Sequence, residues 1–192
     1  MKTAASIFIF LLLSPVWVLS QNTYRISLTS LVIKGTSNVH KWESKVTQLS
    51  GSADLTFEGT QLKKLTQSRF EIPVKSIKSS KGSMMDNKTY QALKSTECAN
   101  ITFQLISSSL EANGTKFNAS GTLTVACVPK TIDLVSTLKE VNNGQYTLTG
   151  SVKMKMTDFG IKPPTALLGT MVTGDDITIE YEINLLKDKS NY

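Results

Sequence analysis

The chain has little of the material from which metal sites and catalytic centres are built. Its 192 residues include one histidine and two cysteines. The four ligands of a structural zinc site cannot be assembled from so few donors. The sequence also contains no nucleophile elbow, phosphate-binding loop or paired acidic motif. We therefore predict no metal site, no catalytic residues and no catalytic cofactor, and a protein that is not an enzyme.

Arginine and dense basic segments are scarce as well. Lysine and arginine number 21 against 15 acidic residues, a formal net charge of +6, but the only arginines are Arg25 and Arg69. The lysines are dispersed, and aromatic residues make up 7% of the chain. A surface that follows a phosphate backbone needs clustered basic residues interleaved with aromatic ones. We expect no nucleic-acid partner.

Long apolar runs are absent except at the N-terminus. Lys2 precedes an uninterrupted apolar run over residues 7–13, and Ser20 ends a short segment suited to cleavage. The run is too short to cross about 30 Å of hydrocarbon, and its pattern is typical of a secretory signal peptide. The sequence therefore predicts a signal peptide over 1–20, cleaved near Ser20, and one domain over 21–192. Such a protein would be periplasmic or secreted, and not an integral membrane protein.

Apolar residues recur at every second position through most of the remaining chain. The clearest examples are residues 146–156 and 177–185, where apolar side chains alternate with Thr, Ser, Lys and Glu. This alternation predicts half-buried strands, and two Asn-Gly pairs between such runs, at 113–114 and 143–144, predict hairpin turns. Strands joined by short turns pair antiparallel. The class predicted from the residues is all-β, either a barrel or a sandwich.

Two segments depart from the alternation. Ser83 is followed three residues later by Asp86, a capping-box arrangement that predicts one short helix reaching about Lys94. Residues 158–174 contain two prolines and three glycines and predict a long loop of the kind that often serves as a lid.

The polar face of the strands carries charged residues such as Lys153 and Glu180. These would crowd a narrow lumen, and the strand ends lack the aromatic girdles of an outer-membrane barrel. The apolar face is therefore expected to point inward. An eight-stranded barrel of this kind has room inside for packed side chains or for one slender ligand.

An ordered set of motifs resembles the YceI-like family, and most closely its Bacteroidetes branch. The resemblance spans about residues 24–185 and rests on Gly35–Trp42, Val74–Lys78, Gly82–Met85, Ile101–Phe103, Gly121–Val125, Met156–Phe159 and Gly174–Ile179.

The resemblance implies a lipocalin-like, antiparallel, eight-stranded barrel with one short inserted helix. It further implies an exported protein that holds a long-chain isoprenoid or a similar amphiphilic lipid for transport or storage, with that lipid as its only bound molecule. Family members are often dimeric, which leaves room for a homodimer. The alternative is a structural or protein-interaction barrel whose core is filled and binds no ligand.

The inward-facing apolar residues could line a tunnel for such a lipid tail or could simply fill the core. The resemblance favours the tunnel, whose predicted lining residues are Phe57, Phe70, Ile72, Phe103, Leu123, Val125, Tyr146, Leu148, Val152, Met154, Met156, Ile177, Ile179 and Tyr181.

A second group of residues could gate the mouth of that tunnel or hold a ligand head group. The alternatives are that the apolar members plug the barrel end, that His40 is structural and that Lys81 is solvated. The group comprises His40, Trp42, Lys81, Met84, Met85, Tyr90, Phe159 and Leu168.

Cys98 and Cys127 stand where the sequence departs from the pattern of many YceI-like proteins. They flank a predicted hairpin that would bring them roughly opposite each other, and an oxidising compartment would favour a disulfide. Cys127 is in phase with inward residues and Cys98 is not, which argues against that pairing. A disulfide and two separate buried thiols both stay open at this point.

Overall fold

The computed structural model of the protein describes residues 19–58, 61–111, 115–142, 144–166 and 169–187. Most of the predicted signal peptide and Leu168 lie outside these ranges, so neither prediction is tested. Strand β1 begins at Leu19, and cleavage after Ser20 would shorten it by two residues. No helix in these ranges is long and apolar enough to span a bilayer.

Eleven strands are found in the described ranges, and the main helix is short. The strands are β1 (Leu19–Ser37), β2 (Lys41–Val46), β3 (Ser50–Glu58), β4 (Gln61–Pro73), β5 (Ile77–Ser79), β6 (Asn100–Leu110), β7 (Lys116–Val125), β8 (Val128–Asn142), β9 (Gln145–Lys155), β10 (Thr165–Ala166) and β11 (Met171–Lys187). Helix α1 covers Ser83–Ala92, and two 3-10 helices cover Val74–Ser76 and Met156–Phe159.

Eight of these strands close into an antiparallel barrel. Their order around the barrel is β1-β3-β4-β6-β7-β8-β9-β11, and β11 pairs back with β1. Strand β2 pairs with the C-terminal half of β1, and β5 pairs with β2 on its other side. Strand β10 pairs with the start of β11. The prediction of an eight-stranded antiparallel barrel with an inserted helix is confirmed.

The two ends of the barrel differ in how their strands are covered. One end, which we call the open end, carries α1, the β1–β2 turn, the described loop residues 159–166 and 169–171, and the β7–β8 turn. Strands β8 and β9 pair only over Ser136–Asn142 and Gln145–Gly150, so they separate towards that end. The opposite, closed end is packed around Tyr24, which is only 2% exposed.

Helix α1 forms where it was predicted, but the predicted capping box is wrong. The N-cap is Gly82, with no side-chain cap, and Ser83 is already the first helical residue. The carboxylate of Asp86 instead accepts a hydrogen bond of 2.7 Å from the backbone N–H of Ser79. Asp86 is buried, so this bond fastens the helix to the end of β5.

The predicted long loop contains more regular structure than expected. Its first residues end the 3-10 helix, whose C-cap Gly160 has a positive φ, and Thr165 later pairs with Val172 in the β10–β11 ladder. The loop is held to α1 by a hydrogen bond of 2.9 Å from Lys88 Nζ to the Thr165 carbonyl. The loop is therefore anchored to the helix across the open end.

Candidate functional site

The barrel encloses a cavity of about 540 Å³. Its walls are apolar, with residues contributed by all eight barrel strands, and it extends to the open end between β2, α1 and β11. Exposed side chains at that end, those of His40 and Lys81, line the same cavity, so it opens to solvent there. The side chains therefore do not fill the lumen.

Close contacts between aromatic rings and glycines keep this lumen open. A Cβ atom at Gly121 would overlap the Phe103 ring, and one at Gly150 would overlap the Tyr181 hydroxyl. Trp42 lies against Gly35 in the same way. Because glycine has no side chain, each ring can lie against the wall instead of projecting towards the barrel axis.

The closed end is filled by aromatic packing. The ring of Tyr146 lies 5.9 Å from that of Tyr24 and 6.1 Å from that of Phe57. All three residues are buried. Burial, and to a smaller extent the nearby negative charge of Glu140, raises the pKa of Tyr146 to about 12. Phe57 and Tyr146 do not line the cavity, so their predicted place in the tunnel wall is corrected to the base beneath it.

The structure brings the other twelve predicted tunnel residues together around the cavity. They share the inner face of the barrel. Six of them are buried, and the other six are half-buried because they face the lumen rather than other side chains. They are Phe70, Ile72, Phe103, Leu123, Val125, Leu148, Val152, Met154, Met156, Ile177, Ile179 and Tyr181.

A few polar side chains interrupt the apolar wall. Ser136 and Tyr181 form a hydroxyl pair with an O–O distance of 2.7 Å, and burial raises the pKa of Tyr181 against the opposing effect of this bond. Ser44 and Ser68 are also buried and line the cavity. The wall can therefore accept an oxygen atom at a few positions and is otherwise suited to hydrocarbon.

Five of the predicted gate residues do line the cavity: His40, Trp42, Lys81, Met85 and Phe159. Trp42 donates a hydrogen bond of 3.0 Å to the Thr36 carbonyl, which fixes the indole at the mouth. Phe159 is 3% exposed and closes part of the open end from the 3-10 helix.

Two other predicted gate residues do not face the cavity. Met84 is 73% exposed, because it lies in the first turn of α1 on the side away from the barrel. The Tyr90 hydroxyl bonds the carbonyls of Lys75 and Ile77 and accepts a hydrogen bond of 2.7 Å from Lys78 Nζ. Tyr90 therefore fastens α1 to the segment before it.

The structure joins Cys98 and Cys127 in a disulfide, with Cα atoms 5.6 Å apart. Cys127 lies in the two-residue β7–β8 turn, where it and Ala126 both have positive φ, and not on a strand. The phase of the strands therefore places no limit on its side chain, and the objection raised from the alternation does not apply. The bond ties the segment after α1 to the barrel rim.

Sequence reasoning missed a large part of the wall. Strand β1 supplies Ile26, Leu31 and Ile33, and β8 supplies Ile132 and Leu134. The β8 pair follows the same alternation as other strands but is not among the predicted lining residues. In β1 a register shift between Leu28 and Ser30 interrupts the alternation. Counting every second residue along β1 therefore does not identify the residues that face inward.

Comparison with known proteins agrees with this architecture. Among solved structures, BcnA of Burkholderia cenocepacia aligns with a TM-score of 0.64 at 18% identity, over 81% of this chain and 94% of its own. A polyisoprenoid binding domain from Saccharophagus degradans, implicated in plant cell wall breakdown, aligns with a TM-score of 0.67 at 12% identity, over 86% and 98%.

The YCEI protein of Campylobacter jejuni aligns with a TM-score of 0.61 at 21% identity, over 77% of this chain and 85% of its own. These likenesses show a shared fold. No significant relative is found among curated proteins. The sequence model of the YceI-like domain matches residues 17–185, nearly the whole chain, so the protein belongs to the YceI-like family.

Proposed function

We propose that this protein is an exported, soluble carrier that holds a long-chain isoprenoid or a similar amphiphilic lipid inside its barrel, for transport or storage. The observation that supports this proposal best is the apolar cavity of about 540 Å³, whose lining includes the exposed residues His40 and Lys81 at the open end. Cavities of this size and lining are typical of small-molecule sites.

The distribution of charge indicates how such a ligand would lie. Among the described residues that line the cavity, the cationic or titratable nitrogen groups are those of His40, Lys81 and Lys88, all at the open end. Deeper in the lumen the wall is hydrocarbon with isolated hydroxyls. A lipid tail would lie inside, stabilised by about 0.8 kcal/mol for each buried methylene, and its polar group would lie near the mouth.

The chemical nature of the cavity also favours binding over the competing functions. A filled structural barrel would leave no lumen of this size, and side chains such as Ile177 and Ile179 would be buried by neighbours rather than half-buried. No group of three potential metal-binding side chains occurs in the described part of the chain. We therefore propose a binding protein rather than an enzyme.

The first experiment is organic extraction of the protein purified without detergent from its native source, followed by mass spectrometry. We expect a stoichiometric isoprenoid or other long-chain amphiphile. A folded, monodisperse sample that carries no lipid and takes up none from vesicles would overturn the proposal and favour a protein-interaction barrel.

A pair of variants on one strand tests whether the cavity is the binding site. Met154 faces the lumen and Lys153, its neighbour on β9, is exposed on the outer face. We expect Met154→Trp to lower uptake of a fluorescent polyprenyl probe at least about tenfold, and Lys153→Trp to leave it unchanged. Equal uptake by both variants would contradict a ligand in this lumen.

A further inference from the structure

Three large apolar side chains are exposed around the mouth of the cavity. Val39 is 64% exposed, Met84 73% and Val172 46%. Each is adjacent in sequence to a residue that lines the cavity, and its own side chain is turned outward. We call these three residues the mouth rim. Exposed apolar residues that surround an opening indicate an interaction surface more strongly than the same residues scattered singly.

Hydrogen bonds join the elements that carry the mouth rim. The Asn38 side chain accepts a bond of 2.9 Å from the Val172 N–H and donates one of 2.8 Å to the Thr170 carbonyl, which holds the β1–β2 turn against β11. Lys88 of α1 bonds the Thr165 carbonyl, and Thr165 pairs with Val172. The three apolar side chains therefore stand on one connected structure.

The charge beside the mouth rim is positive. Lys41 and Lys81 are exposed, and neither forms an ion pair with a residue in the described ranges. Within the described part of the chain, the ammonium group of Lys88 bonds the Thr165 carbonyl oxygen and no carboxylate.

The nearby carboxylates are already engaged or face other lysines. Asp86 accepts the Ser79 N–H and lies 3.7 Å from Lys78 Nζ. Glu43 lies opposite Lys34 in the β1–β2 ladder, and the Lys34 ammonium group itself bonds Glu180 at 2.6 Å. Unpaired cations therefore remain beside the exposed apolar residues.

We propose that the mouth rim docks onto an anionic lipid bilayer and brings the opening of the cavity to the membrane surface. Val39, Met84 and Val172 enter the boundary between headgroups and acyl chains, and the three lysines contact anionic headgroups. Shallow apolar insertion combined with basic residues is the chemistry by which peripheral proteins bind such surfaces. The proposal extends the proposed function, since a carrier must exchange its lipid with a bilayer.

The test is co-sedimentation of the purified protein with vesicles of phosphatidylcholine and phosphatidylglycerol. We expect binding to these vesicles, at least about fivefold weaker binding to pure phosphatidylcholine, and loss of binding at about 1 M salt, where the screening length falls to about 3 Å. Equal binding to both kinds of vesicle, or no binding to either, would overturn the proposal.

A matched pair of triple variants locates the surface. The rim variant carries Val39→Ser, Met84→Ser and Val172→Ser. The control carries Ile106→Ser, Val135→Ser and Val141→Ser, which remove three apolar side chains that are 62%, 54% and 52% exposed elsewhere on the barrel. We expect the rim variant to lose at least about tenfold in vesicle binding and the control to bind as the unaltered protein does. The reverse result would overturn the proposal.

Two further measurements separate the proposal from its alternatives. The first is the oligomeric state in solution. If the unaltered protein forms a dimer but does not bind vesicles, and the rim variant is a monomer, the rim is a protein interface and the membrane proposal is overturned. Probe uptake by the unaltered protein is measured in parallel without vesicles. Uptake without vesicle binding would refute only the docking surface, whereas vesicle binding without uptake would refute only the carrier function.

Discussion

The two ends of the barrel are built from the same strands but serve opposite purposes. At the closed end Tyr24, Phe57 and Tyr146 pack ring against ring and are between 2% and 7% exposed. Towards the open end the inward residues of β11, such as Ile177 and Ile179, are only half-buried although they face inward. A side chain that points inward therefore does not by itself define a filled core.

The difference between the ends comes from where large side chains stand along each strand. Rings at the closed end pack together in the core. In the wall, the Phe70 and Phe103 rings stack 5.0 Å apart, and the rings of Phe103 and Tyr181 lie over glycines of the neighbouring strand. Packing at the closed end supplies stability, and the wall towards the open end supplies space. This division predicts that substitutions at the two ends have different consequences.

The largest expected effect is on stability at the closed end. Phe57→Ala removes a buried ring from the base and should lower the free energy of unfolding by about 3 to 5 kcal/mol. Phe70→Ala removes the same side chain from the half-buried wall, so we expect a loss of about 2 kcal/mol or less. Urea unfolding measures both. Equal losses would show that the lumen around Phe70 is packed as tightly as the base.

The disulfide gives the next largest effect and acts on the open end. It closes a loop across a sequence separation of 29 residues, so replacing Cys98 and Cys127 by Ser should cost about 3 to 4 kcal/mol. Hydrogen exchange should increase most beside the β7–β8 turn and least around Phe117 at the other end of β7. Uniformly faster exchange would contradict a link that acts at one end.

A smaller effect is expected where a glycine lies under a ring. A methyl group at Gly150 would overlap Tyr181 and stand 2.9 Å from the Val135 carbonyl oxygen. Gly150→Ala should therefore cost about 1 to 3 kcal/mol and weaken probe uptake, because Tyr181 must move into the lumen. Ser151→Ala, at the exposed neighbouring position, is the control, and a similar change in that variant would refute the mechanism.

The smallest effect concerns alkaline pH at the closed end. Burial raises the pKa of Tyr146 from 10.0 to about 12, so the unfolded chain releases this proton first as the pH rises. Stability should be intact below pH 10.0 and decline as the pH approaches 12. Thermal melting in Tyr146→Phe should show a weaker decline over this interval. An unchanged profile would assign the alkaline loss to other groups, such as Tyr24.

Much of the fold could be predicted because a half-buried strand has a strict period of two. The runs that become β9 and β11 show this period, and the inserted helix falls where the alternation stops. The capping of that helix could not be predicted, because Asp86 serves equally well as a cap or as a tie to β5. Sequence spacing does not distinguish these two uses of a carboxylate.

The sequence predicted which residues of the candidate site face the inside of the barrel, but not how far along the barrel each one lies. Alternation places Phe57 and Phe70 on the same side of the wall, yet one belongs to the base and the other to the cavity. The distinction depends on how far neighbouring strands are offset along the barrel axis, and the residue pattern of a single strand does not reveal that offset. The direction of the Met84 side chain could not be predicted either, because α1 has only a weakly defined apolar face.

The paired glycines and rings have a consequence for cargo selection. Gly35, Gly121 and Gly150 are absent from the cavity lining in the described ranges, yet each sets how close an aromatic side chain lies to the wall. The width of the lumen is thus set in part by residues that do not contact the ligand. Homologues that exchange these glycines for larger residues should accept slimmer cargo, even where every residue in contact with it is the same.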